Sequence, residues 1–202
     1  MESGPIPDFA FYTMKLHSHN RLVDTNVVGE EVDFGIDQED AQGLTILLRD
    51  TLYEDKELAP IREYIANAFD ANRETAINGV IKPINVCLPT ADNPQFHVRD
   101  LGPGLTHEEV HKIFTRYGKS TKRDSNNATG CFGIGSKSYA AYTDKATVIS
   151  YQGTQKYTYI MYLDQNQQAK LKDVSKEDLE IESTGLEIIW GVQLEDISSV
   201  RE

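Results

Sequence analysis

The 202-residue chain carries 32 acidic against 20 basic side chains, a formal charge of −12 and a pI of about 4.8, which disfavours a protein whose main business is coating phosphate backbones. A chain of this length makes one domain able to bury roughly 70% of its unfolded surface without disulfide or metal staples. Two cysteines, Cys87 and Cys131, lack disulfide-framework or metal-ligand spacing and fit a reducing compartment, and neither a signal-like start nor an apolar run of about 18 residues is present.

The Pro-rich start, residues 1–13 ahead of Met14, reads as a flexible leader, an appended remnant or a swapped arm. LTILLRDTLY, residues 44–53, clusters apolar side chains as a short helix does. From Pro60, whose missing N–H suits a first turn, Ile61, Ile65, Ala68 and Phe69 recur at helical spacing and predict a helix to about Arg73. Residues 84–88 and 96–99 flank the turn TADNP and predict a hairpin, with Cys87 in its core. Thr106 and Glu109 then form a capping box that opens the next helix. Residues 115–130 are polar and almost without apolar anchors, the composition of a mobile loop that would act as a lid. A helix over 136–142 and strands over 146–151, 156–163 and 185–190 complete the chain. The mixture predicts an α+β two-layer sandwich with a mixed, mostly antiparallel sheet.

Three segments matter through their order. On the first helix Glu63, Asn67, Asp70 and Glu74 fall opposite the apolar stripe. Such a face is ordinarily only solvated. If it lines a pocket, the amide oxygen of Asn67 would suit a magnesium ion, and Glu63 one turn earlier would orient or deprotonate water. In RDLGPG, residues 99–104, Asp100 ends a strand and could accept a hydrogen from an amine. Gly102 and Gly104 permit close ligand approach, although with Pro103 they also make a common turn. In TGCFGIGSKS, residues 129–138, Gly130, Gly133 and Gly135 lead into Ser136, Lys137 and Ser138 and would offer backbone N–H groups to phosphate. The spacing is neither that of a Rossmann turn nor that of a P-loop. Arg116, Lys119, Lys122, Arg123 and Lys137 concentrate positive charge there, enough to neutralise a triphosphate or merely to solvate a loop. Each segment alone is ordinary. In this order the three build one nucleotide pocket, which makes ATP the expected ligand.

These residues resemble the GHKL ATPases, the family of gyrase B subunits, MutL proteins, large ATP-driven chaperones and sensor histidine kinases, over about residues 55–190. The family's E-x-x-x-N-x-x-D-A motif is matched by Glu63, Asn67, Asp70 and Ala71, and D-x-G-x-G by Asp100, Gly102 and Gly104. The resemblance implies a Bergerat-type fold over residues 16–202 after a leader of residues 1–15. It implies Glu63 as the water-activating base, Asn67 as the Mg2+ ligand and Asp100 on the adenine amine. GCFGIGSKS looks like the chaperones' third motif, which implies phosphate contacts from Gly130, Gly133, Ile134, Gly135, Ser136 and Lys137, with Lys119 as the lid lysine. STGLEI is similar to the family's last strand motif and carries Thr184 to the adenine side, with Ser183 where glycine is usual.

More narrowly, FGIGSKS, YTD and TGLEI resemble the N-terminal part of rIIA lysis-inhibition proteins of T-even-type phages. That likeness implies lysis timing, protection against prophage exclusion and a place in the host cytoplasm peripheral to the inner membrane. Its implied partners are a second copy in an ATP-dependent dimer or a second phage protein, with nucleic acid not expected. Hydrolysis would be slow, because many family members need a further domain to supply a lysine. Two rival readings stand beside this one: a nucleotide-gated interaction module without useful turnover, and a zinc metallopeptidase. The second rests on His107-Glu108-Glu109-Val110-His111, which fits H-E-x-x-H, although the same residues are an ordinary capped helix start.

Overall fold

In the computed structural model, which describes residues 55–115 and 135–201, the amphipathic stretch after the acidic turn forms helix α1, Leu58–Glu74. Every described residue belongs to one unit, Gly35–Glu202. The leader and the expected helix at 44–53 lie outside the described residues, as does the expected lid apart from Thr115. Asp55 supplies what a capping residue would, its Oδ1 accepting the Leu58 N–H at 2.9 Å. Pro60 does sit in the first turn of α1, and the helix buries Ile61, Tyr64 and Ala68.

The buried stripe is rotated from the expected one. Phe69 is 45% exposed and Ile65 only half-buried, because the sheet meets the helix along the Ile61, Tyr64 and Ala68 line, where Tyr64 packs on Trp190 with ring centroids 5.5 Å apart.

The expected hairpin is present as β1, Asn85–Cys87, and β2, Gln95–Arg99, antiparallel with Val86 opposite Val98. Cys87 is exposed, not core, because β1 is the sheet's edge strand and alternation turns Cys87 outward. Helix α2, His107–Phe114, opens on the capping box: Thr106 Oγ1 accepts the Glu109 N–H, and Glu109 Oε2 accepts the Thr106 N–H. These bonds hold the Glu109 carboxyl below its usual range. Gly135–Ala141 forms 3₁₀ turns where an α-helix was expected.

The largest departure lies downstream. The expected strands at 146–151 and 156–163 are one strand, β3, Lys145–Leu163, and the last strand extends back to make β4, Ala169–Gly191. They pair as a long hairpin with register shifts at Gly153/Gln155 and Thr158/Tyr159, and the sheet order is β1-β2-β4-β3, antiparallel throughout. The chain then leaves the sheet for a 3₁₀ turn and helix α3, Ile197–Arg201.

The helices and the sheet form the two layers of an α+β sandwich. Phe96, Val98, Ile188, Trp190, Val148 and Ala146 meet Ile61, Tyr64, Ala68, Val110, Phe114 and Tyr139 in one core. At about 1.5–3 kcal/mol for each large apolar side chain withdrawn from water, this core outweighs the hydrogen bonds between the layers. Among the described residues no helix is long and apolar enough to cross a membrane.

Candidate nucleotide site

Glu63 and Asn67, one helical turn apart on α1, are half-buried and meet the start of the 3₁₀ segment. A Cβ on Gly135 would lie 2.6 Å from Glu63 Oε2, which would have to shift, and 3.5 Å from Asn67 Nδ2, an ordinary contact, so glycine leaves the Glu63 carboxyl undisturbed. The Tyr64 hydroxyl fixes that approach by donating to the Ser136 carbonyl at 2.8 Å. Burial raises the Glu63 carboxyl above its ordinary 4.5, since removing water disfavours the charged form. A raised pKa is the direction that suits a general base.

Asp100 is buried where β2 ends. Its Oδ1 accepts the N–H groups of Gly102 at 2.9 Å and Leu186 at 3.0 Å, while its own N–H donates to the Leu186 carbonyl at 3.0 Å. The glycines around it are explained by packing. A Cβ on Gly102 would fall 2.8 Å from the Ala71 Cβ, and one on Gly104, at φ +71°, 2.3 Å from the Tyr151 carbonyl oxygen. Gly185, at φ +113°, lies against Asp100 so closely that a Cβ would be 2.2 Å from its carbonyl oxygen. Thus α1 touches the Asp100 turn through Ala71 and the 3₁₀ segment through Glu63, while β4 touches the Asp100 turn through Gly185. The described parts of the three sequence segments, the third from Gly135 on, thus all border α1 or the Asp100 turn.

Other expected residues are placed differently. Asp70 does not join a solvent-facing polar stripe: it is 3% exposed and pairs with Arg73 at 3.1 Å. Lys137 is folded inward, 2% exposed, its ammonium donating to the Ile113 carbonyl at 2.5 Å and to Ser136 Oγ at 2.8 Å. Burial depresses its pKa to about 8, so it is an interior tie between α2 and the 3₁₀ segment where a surface charge was expected. Thr184 is exposed on β4 beside Gly185. Lys119, Gly130, Gly133 and Ile134 lie outside the described residues, as do Arg116, Lys122, Arg123 and Cys131.

Asn72, which sequence reasoning passed over, is fully buried at the end of α1. Its Nδ2 donates to the carbonyls of Lys82 at 2.9 Å and Pro83 at 3.1 Å, and its Oδ1 accepts the Leu101 N–H at 2.6 Å. The available signal was an asparagine, a poor helix former, inside a strong helical pattern. His107 and His111, the pair from the H-E-x-x-H pattern, stand on α2 against Tyr159 and Asp173 of the β3–β4 hairpin.

This arrangement agrees with comparison against known families. Residues 58–187 match the family described as histidine kinase-, DNA gyrase B-, and HSP90-like ATPase. The chain belongs to that family, and its domain is of the ATP-binding GHKL type. Comparison with curated proteins gave no match.

Proposed function

We propose that the domain binds Mg-ATP between Glu63, Asn67, the Asp100 turn and the segment ending at Gly135, and hydrolyses it slowly. The observation that carries this reading is the close approach of Gly135 to Glu63 and Asn67, near enough that an added Cβ would meet both, which sets a desolvated carboxylate and an amide beside the loop expected to receive phosphate. Mg2+ prefers oxygen ligands and usually takes only one or two from protein, a demand the Asn67 amide oxygen fits. When bound, the ion would neutralise phosphate charge. Glu63 positions and deprotonates the attacking water, and Asp100 accepts from the adenine amine. Asp70 and Lys137 act indirectly, by shaping the site. Thr184 faces the adenine side, and residues 115–130, with Lys119, close over the nucleotide.

The deciding experiment is calorimetric titration with a non-hydrolysable ATP analogue and magnesium, alongside phosphate release by wild type and Glu63→Ala. Binding with Glu63-dependent release supports an ATPase, binding without release supports a nucleotide-gated interaction module, and no binding removes both readings.

The narrower likeness to rIIA proteins rests on FGIGSKS, YTD and TGLEI. On it we propose that nucleotide occupancy governs engagement of a second copy or a second phage protein at the host inner membrane during lysis inhibition. A variant that fails to bind ATP yet times lysis normally would refute that role.

A further inference from the structure

We infer that His107, His111 and Asp173 form a site for a zinc-class divalent transition ion, sharing no residue with the nucleotide pocket. The two histidines are four residues apart, so both project from one face of α2, with ring centroids 4.6 Å apart. Asp173 reaches them from β4. His111 Nε2 lies 2.8 Å from Asp173 Oδ1 and His107 Nε2 4.0 Å from Oδ2, and ligand atoms of all three residues fall within 4.8 Å of one another. Two ligand atoms around a tetrahedral ion at about 2.0–2.2 Å are separated by about 3.4 Å, so small side-chain rotations bring this trio to bonding distance.

The cluster also has the outer support of a metal site. His107 Nδ1 lies 3.1 Å from the hydroxyl oxygen of Tyr159, a residue 1% exposed and anchored in the core. With the Nδ1–H donating to that oxygen, the His107 Nε2 lone pair is directed toward Asp173, the tautomer a metal requires. A cleft of about 480 Å³ lined by His107, Tyr157, Tyr159, Asp173 and Lys176 opens beside the trio and leaves room for water to complete the coordination. Two imidazoles and one carboxylate select zinc, cobalt or nickel over magnesium.

The ligand set does not use Glu108, and the inference is one of binding, not hydrolysis. A bound ion would cross-link α2 to β4. Because the Ile113 carbonyl of α2 holds Lys137, that cross-link would also brace the segment beside Glu63.

The test uses the full chain stripped of metal by chelation. Calorimetry with Zn2+ and visible absorption with Co2+ are expected to show one ion per chain, with at least 10-fold weaker binding in His111→Ala and Asp173→Asn. Tyr159→Phe should weaken binding by about 10-fold through the lost outer partner, and Glu108→Gln should leave it unchanged. Absence of saturable binding would overturn the inference. So would undiminished affinity in both ligand variants, as expected if His17 and His19 supplied the ligands instead. Should either variant fail to fold, nitrogen-resolved imidazole spectra of the wild type decide. Zn2+ must shift Nε2 of His107 and His111 and spare His97, and any other pattern overturns the assignment.

Discussion

Gly135 and Glu63 are so close that a Cβ on the glycine would lie 2.6 Å from the Glu63 Oε2. Only that proximity bears on the choice of glycine there, since its φ lies outside the left-handed region. The obstructed atom is the tip of a flexible side chain, so Gly135→Ala is relieved by rotating Glu63 and should cost no more than about 1 kcal/mol of stability. A displacement of about 1 Å at a water-positioning group costs up to ~100-fold in rate. Gly135→Ala should therefore unfold at nearly the wild-type urea midpoint and bind the ATP analogue within about 3-fold, with turnover down at least about 10-fold. Unchanged phosphate release would disconnect Glu63 from catalysis.

Asp100 separates stability from recognition. Removing the carboxylate in Asp100→Ala strands the N–H groups of Gly102 and Leu186, a loss of about 1–3 kcal/mol for each group left unpaired. Asp100→Asn keeps an oxygen for them but mismatches the adenine amine, so the fold should persist while ATP binding weakens by about 1–3 kcal/mol, roughly 5- to 150-fold. Unchanged affinity in Asp100→Asn would sink the adenine assignment and leave the stability argument standing.

Gly185→Ala offers the opposite case from Gly135→Ala. The atom in its way is the Asp100 carbonyl oxygen at 2.2 Å, part of the backbone, and φ is +113°. Neither can be relieved by a rotamer change, so a loss of at least about 3 kcal/mol is expected in urea unfolding.

Asn72 binds three backbone groups from full burial, to Lys82, Pro83 and Leu101. Asn72→Ala should cost at least about 2 kcal/mol, because each stranded buried group carries its own desolvation penalty. Equilibrium unfolding checks this, and a change below about 0.5 kcal/mol, the range of ordinary surface substitutions, would show that water replaces the amide without loss.

What the sequence made legible was local. The α1 periodicity, the Thr106–Glu109 capping box and the hairpin around TADNP each depend on neighbours a few residues apart, and each is found. Residues 169–184 of β4 were missed because, although Leu171 packs against the core, most of the stretch is exposed and dominated by charged side chains. This stretch is a strand because β3 pairs with it. Phe69 falls on the expected apolar stripe because a helical stripe about 100° wide can be drawn on either side of Ile65, and only the position of Trp190 decides which. For the site, Gly135 approaches Glu63 and the Asp100 turn meets the same helix at Ala71, but Lys137 carries a charge whose inward placement depends on the Ile113 carbonyl, a non-local partner. Asp173 was invisible for the same reason, lying 62 residues from His111.

The raised pKa of Glu63 ties the site to pH with a definite sign. In the unfolded chain the carboxyl titrates near 4.5, and in the folded protein burial moves it higher. Between the two values the folded state holds more protons than the unfolded state, so stability falls as pH rises through that window. The favourable contribution is complete below the unfolded value and lost above the folded one. Glu63→Gln has nearly the same shape and cannot ionise, so it should unfold at a higher temperature than wild type near neutral pH. The advantage should shrink as pH is lowered toward 4.5. Turnover should run the other way, since the base works only when ionised: phosphate release by wild type should decline on an acid limb whose midpoint lies above 4.5. Parallel melting curves and rate profiles on wild type and Glu63→Gln check both halves. A melting difference that stays constant across pH would show that the desolvated charge is not its origin.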